Sequence, residues 1–186
     1  MTTVHQEFNL VQDCPATLIP AGDMITLEAG TLVTVTQALG GSVTVRTPLG
    51  LFRIAPEHLS ALGEEALGLF SGKDIEQEQD ADAPFVVDHV WERLKACFDP
   101  EIPVNIVDLG LIYDLQVEPT DSGKQRVLVK MTLTAQGCGM GPTIAADAKA
   151  KIESLPAVES AEVEIVWDPA WNPHMISAEA RKTLGL

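Results

Sequence analysis

The spacing of the apolar residues changes once along the chain, near residue 72, and that change limits the fold more than any other feature. Before it, short runs alternate with period two: "MITLEAG", "TLVTVTQALGG", "SVTVRTPLG" and "LFRIAP" are rich in Val, Thr, Ile and Leu, with glycine-containing turns between them. Period two puts alternate side chains on opposite faces of a strand, and Gly40-Gly41 is a hairpin signal. The expectation for residues 1–70 is a small antiparallel β-rich domain, barrel-like, closed by a short helical segment at 56–63. After the change, helical and strand periods take turns. "PFVVDHVWERLKACF" (84–98) carries Val87, Val90, Trp91, Leu94 and Phe98 on one helical face, with Pro84 suited to a first helical position. Alternating strands follow at 111–119, 126–134 and 159–167, with a helix at 142–155 and a short one after Ser177, a plausible N-cap. The order α-β-β-α-β-α predicts an α+β domain over 85–186, two-layered, with helices on one face of a three-stranded sheet.

Between the halves lies "SGKDIEQEQDADAP" (71–84), with six charges, five of them acidic, and almost nothing to bury. It is expected to be an extended, solvated linker. Over the whole chain of 186 residues, 12 basic side chains face 27 acidic ones, a net charge of −15. Such a surface repels phosphate backbones and anionic lipids, which argues against nucleic acid and membrane as partners. No apolar run approaches the ~18 residues of a membrane span, and "MTTVHQEFNL" lacks the basic-then-apolar pattern of a signal peptide. Three widely spaced cysteines, Cys14, Cys97 and Cys138, do not make a disulfide framework. The expectation is a reduced, cytoplasmic protein.

The chemistry concentrates in "TAQGCGMGP" (134–142), where Cys138 stands among Gly137, Gly139 and Gly141 at the end of a strand and the start of a helix. Free N–H groups and the helix dipole favour negative charge at such a place, and the anion is the reactive form of a thiol. The glycines leave the sulfur uncovered and let a ligand or a partner chain approach. Cys97, on a helix face beside Phe98, reads as packing. "DPEIPVNIVD" offers Asp99, Glu101 and Asp108 on a proline-stiffened loop, and Thr132 and Thr134 alternate with Met131 and Leu133. If the apolar pair faces the core, both threonines face away from it. Spacing alone favours turn and capping roles for the carboxylates. "WDPAWNPHMIS" (167–177) packs two tryptophans, two prolines and His174 into a stretch without regular period. His174 is either a structural residue or a possible ligand or base.

Taken together, "DPEIPVNIVDLGLIYD", "MTLTAQGCGMG" and "WDPAWNPHMIS" resemble the iron–sulfur cluster assembly domain family, which includes PaaD and the eukaryotic cytosolic cluster-targeting adaptor. The thiol turn, the "WNPHMISAEARKTLGL" ending and the β-rich N-terminal region are similar to its SufT-like members. The resemblance covers about residues 85–186, with the N-terminal similarity over about 15–70. It implies the family's α/β fold and a non-enzymatic role in helping clusters reach recipient proteins, with assembly scaffolds and recipient apoproteins as partners. It marks Asp99, Glu101, Asp108, Thr132, Thr134 and Cys138 as site residues, with Cys138 as the metal-binding thiolate. Gln136 stands where similar sequences commonly have proline.

Clusters usually take four thiolates. One well-placed thiol therefore implies at most a transient iron–sulfur cluster, shared across a homodimer or completed by a partner or a small thiol. Two other functions fit the residues: a thiol-based redox enzyme working through Cys138, and a purely structural interaction module. The absence of any CxxC pair counts against the first.

Overall fold

The computed structural model describes residues 6–70 and 85–186. The stretch read as a linker, with Pro84, lies outside them. The chain divides into two compact units, the first of residues 1–76 with Pro100–Pro103 and the second of residues 77–99 and 104–186.

In the first unit, six strands form one sheet: β1 (Gln6–Asn9), β2 (Cys14–Ile19), β3 (Met24–Leu27), β4 (Leu32–Leu39), β5 (Ser42–Thr47) and β6 (Gly50–Ile54), in the order β1-β4-β5-β6-β2-β3. Every pairing is antiparallel. Gly40 and Gly41 both take positive φ, 61° and 79°, and turn β4 into β5, the backbone that a tight hairpin between right-twisted strands demands. Alternation places Val33 and Val35, Val43 and Val45, and Phe52 and Ile54 in one core. Leu59 and Leu62 of the 3-10 segment Pro56–Leu62 and Ala66 of α1 (Glu64–Phe70) close it. Among the described residues β1 and β3 are not paired with each other, so the ring of a barrel is not closed.

The second unit contains α2 (Val87–Lys95), β7 (Ile112–Pro119), β8 (Gln125–Met131), α3 (Gly141–Glu153), β9 (Val158–Ile165) and α4 (Ala178–Leu184). Its sheet has the order β7-β8-β9, with β7 antiparallel and β9 parallel to β8. A parallel neighbour requires a crossover, and α3 supplies it. Val127, Val129 and Met131 of β8 are buried, as are Ile144, Ala148 and Ile152 of α3 and Val90 and Leu94 of α2; α3 packs on β9 and α2 on α3. Lys151, a buried lysine, ties the two helices. Its Nζ donates to the Ala96 carbonyl at 2.8 Å and to Asp147 Oδ2 at 2.8 Å.

Two boundaries differ from expectation. The first helix of this unit starts at Val87, after an extended Val86, because nothing at 85–86 caps an earlier turn. β8 stops at Met131 rather than running to Thr134. Beyond it, Thr132 N–H donates to the Leu111 carbonyl at 2.8 Å, and the chain leaves the ladder for the thiol turn. No described helix is long and apolar enough to cross a membrane.

Candidate functional site

Because β8 and β9 run parallel and β7 opposes them, the carboxyl ends of β8 and β9 lie beside the start of β7. Three segments therefore emerge at one end of the sheet: 96–99 with 104–111, 132–140 and 166–177. These are the segments that carry the sequence motifs.

The first segment is held by its own polar groups. Ile106 N–H donates to the Cys97 carbonyl at 2.9 Å and Asp99 N–H to the Val104 carbonyl at 3.4 Å. Asn105 and Asp108 bond reciprocally, Asn105 Nδ2 to Asp108 Oδ2 at 2.7 Å and Asp108 N–H to Asn105 Oδ1 at 2.8 Å. The Asp108 carbonyl accepts from Ser177 N–H at 2.8 Å. Asp108 is thereby engaged at both ends in fixing the turn. Asp99 is buried. Glu101 is exposed and falls in the Pro100–Pro103 stretch that belongs with the first unit, outside the unit that carries Cys138.

The third segment lies across the first as a strap. Trp171 Nε1 donates to the Leu109 carbonyl at 2.8 Å and Tyr113 Oη to the Pro169 carbonyl at 2.8 Å. Arg181 holds the strap from α4, donating to the carbonyls of Ile176 at 3.0 Å and His174 at 2.7 Å. Gly110 has φ +71°, and a Cβ there would overlap the Met175 backbone, lying 2.8 Å from its carbonyl carbon. His174 is exposed and bonds through its backbone, N–H to Asn172 Oδ1 at 3.0 Å. That placement makes it part of the strap.

The second segment carries the thiol. Gly137 takes φ +85° with open space where a Cβ would be, while a Cβ on Gly141 would come 2.6 Å from Leu133 Cδ1. One glycine therefore serves the turn and the other the close packing of α3 on the sheet. Cys138 N–H donates to Ala135 at 3.4 Å and its carbonyl accepts from Gly141 N–H at 3.2 Å. Met140 caps α3 without a side-chain bond, and its first turn has no acidic residue, so no carboxylate of this turn neutralises the positive end of the helix. Cys138 is half-buried; Cys14 and Cys97 are fully buried. Cys97 Sγ points back to the Arg93 carbonyl at 3.4 Å, and burial pushes the Cys14 thiol pKa up.

The threonines do not both face away from the core. Met131, Thr132 and Leu133 are buried in succession, because strand alternation ends with β8. The Thr132 hydroxyl is fully buried and has no hydrogen-bond partner among the described residues, whereas Thr134 is half-buried. Among the described residues no three His, Cys, Asp or Glu side chains come together to hold a metal ion. Of the three cysteines, only Cys138 is not fully buried. The sequence singled out Trp171 only as part of an aperiodic stretch and gave no role to Asn105, Gly110 and Tyr113. The two tryptophans and two prolines at 167–173 were the available signal, and the partners of Trp171 and Pro169 lie 62 and 56 residues away.

The match that decides the family is to a protein of Porphyromonas gingivalis (strain ATCC BAA-308 / W83) named Fe-S protein maturation auxiliary factor. It is 41% identical over 96 residues, 52% of this chain and 88% of that protein. This chain belongs to the iron–sulfur cluster assembly protein family. The family model itself, described as iron–sulfur cluster assembly protein, matches residues 88–165. A Staphylococcus aureus (strain USA300) protein named Fe-S protein maturation auxiliary factor SufT is 42% identical over 88 residues, 47% of this chain and 96% of that protein. A crystal structure of a domain of unknown function, DUF59, from Bacillus anthracis aligns at 35% identity with a TM-score of 0.47, covering 53% of this chain and 91% of that one. The six-stranded sheet of the first unit lies outside the stretch that the family model matches.

Proposed function

We propose that this protein is an auxiliary factor in the maturation of iron–sulfur proteins, working as carrier or adaptor without catalysing a reaction, and that Cys138 is the sulfur that meets the cluster. Membership of the family and the names borne by its relatives support the role. The observation that carries the residue is exposure: of the three cysteines, only the one on the glycine turn is not fully buried. A cluster is cargo here. With one thiolate per chain, two copies related by a two-fold axis, or one copy and a scaffold or recipient apoprotein, must share it, with outside thiols filling the remaining positions. Lability follows from so few protein ligands, and a carrier must release what it holds. In this scheme Asp108 fixes the turn beside the strap. Asp99, Thr132, Thr134 and His174 serve the same end of the second unit as shaping or contact residues, and Glu101, which belongs with the first unit, serves as a contact residue for a partner.

Anaerobic reconstitution with iron and sulfide, followed by visible absorption, tests this. The expected cluster is substoichiometric and oxygen-sensitive, lost in Cys138→Ser and kept in Cys14→Ser and Cys97→Ser. One stable cluster per monomer that survives Cys138→Ser would overturn both the residue and the sharing scheme.

A further inference from the structure

An open cleft of about 590 Å³ lies between the strap and the adjoining ends of β7 and β8. It does not include Cys138, and the function proposed above makes no use of it. We infer that this cleft binds a small zwitterion, a free amino acid or dipeptide with an aliphatic or thioether side chain.

Its size is that of small-ligand sites, which run from ~300 to ~1,000 Å³. Ile112, Val166 and Met175 give it an apolar lining, and the Tyr113 ring and Pro169 add walls. Two charged side chains also line it, Lys130 and Asp168. Among the described residues neither side chain has a hydrogen-bond or ion-pair partner, and they do not pair with each other. Both side chains are exposed, and the cross-strand neighbours of Lys130 are Asp114 and Glu164. The Asp114 carboxylate instead accepts from Gln116 Nε2 at 2.7 Å.

The charge pattern selects the ligand. A simple anion suits Lys130 but meets Asp168, Asp114, Glu164 and the field of a chain of net charge −15. A simple cation leaves Lys130 without a partner. A neutral zwitterion feels no net repulsion, brings a carboxylate to Lys130 and an ammonium to Asp168, and lays its side chain on Ile112, Val166 and Met175. The walls are pre-formed. The Tyr113 hydroxyl is bonded to the Pro169 carbonyl, and Gly110 lets the Met175 backbone lie directly against the turn. Little ordering is left for the ligand to impose.

The test is a titration of the full chain by amide chemical shift with L-leucine, leucyl-leucine, N-acetyl-leucine and leucinamide. Leucine or the dipeptide is expected to shift Ile112, Lys130, Val166 and Asp168 saturably below about 10 mM, the range of weak small-ligand binding; which of the two binds more tightly separates free amino acid from peptide. N-acetyl-leucine lacks the ammonium and leucinamide the carboxylate. Each should bind about fivefold more weakly, the upper end of what a partly exposed ion pair contributes. Lys130→Gln and Asp168→Asn should weaken leucine equally while leaving the remaining spectrum, and so the fold, unchanged. Cys138→Ser should leave the titration as it is, so failure here is separate from failure of the cluster role. Absence of saturable shifts, equal binding of the blocked analogues, or wild-type affinity in both charge variants would each overturn the inference.

Discussion

Replacing Gly110 with alanine separates two effects that a glycine can serve. A left-handed conformation costs an L-residue about 1–2 kcal/mol, offset by about 0.4–1 kcal/mol because alanine also narrows the unfolded ensemble. Gly123 has φ +81° with nothing near the position of a Cβ, so Gly123→Ala measures that backbone effect alone, about 1 kcal/mol. Gly110→Ala adds a collision with the Met175 backbone, which no rotamer relieves. The strap must lift, and the bonds from Trp171 to Leu109, Tyr113 to Pro169 and Ser177 to Asp108 go with it. At roughly 1 kcal/mol for each hydrogen bond, the total loss is about 4 kcal/mol. All three tryptophans, Trp91, Trp167 and Trp171, lie in the second unit, so tryptophan emission follows that unit without contribution from the first. With an m-value of about 2 kcal/mol/M in urea, Gly110→Ala should lower the emission midpoint by roughly 2 M and Gly123→Ala by roughly 0.5 M. Equal midpoints for the two variants would show that the strap yields freely and that its bonds contribute little.

Three further outcomes follow from burial. In the folded protein, mass-mapped alkylation should label Cys138 first, and label Cys14 and Cys97 only as their units unfold; equal rates for Cys97 and Cys138 would remove the basis for choosing the half-buried thiol over the buried ones. Burial raises the Cys14 pKa above its ordinary value of 9.0, so the unfolded thiol loses its proton first. Stability is then unaffected below about pH 9 and falls above it by at most about 1.4 kcal/mol per pH unit. Cys14→Ala should show a shallower alkaline decline in urea melts at pH 8 and 10, and an unchanged slope would contradict this. Lys151→Met leaves the Ala96 carbonyl without its donor and Asp147 without its ammonium; a loss of about 2–3 kcal/mol is expected in the same emission assay, and a loss under about 0.5 kcal/mol would mean the buried lysine is dispensable.

What the sequence made legible was local. β4, β5 and β6 lie where alternation placed them, and Gly40-Gly41 turns the chain where a hairpin was expected. Ser177 caps α4 through its hydroxyl, accepting from Ala180 N–H at 3.1 Å. β1 and β2 gave no such signal. "QEFN" buries only Phe8, and "CPATLI" buries Ala16 and Thr17 in succession, which breaks the period. α1, "EEALGLF", has Gly68 inside it and one buried residue, too little for a helical stripe. At the site, the glycine turn lies where the sequence put it, although its thiol is half-buried; the fate of the threonines was not legible, because alternation carries no information past the last ladder bond of β8. The turn role expected of Asp108 is the one it has, but its distant partner was hidden. Its partners are Asn105, three residues away, and the backbone of Ser177, and sequence spacing does not report a backbone bond across 69 positions.

The same strap sets an order of events in folding. Trp171 and Leu109 are 62 residues apart, and Tyr113 and Pro169 are 56 apart, with the β7–β8 hairpin and the α3 crossover between them. Loop-closure entropy makes such distant contacts slow to form until the intervening chain is compact. The hairpin, whose strands are joined by a short turn, can close early; the 105–113 turn gains its last bonds only after β9 has docked beside β8. The bonds between the strap and that turn are therefore expected to form late in folding. A chain interrupted before residue 167 would keep the thiol turn and much of the sheet while lacking every bond that the strap makes to the turn beside it.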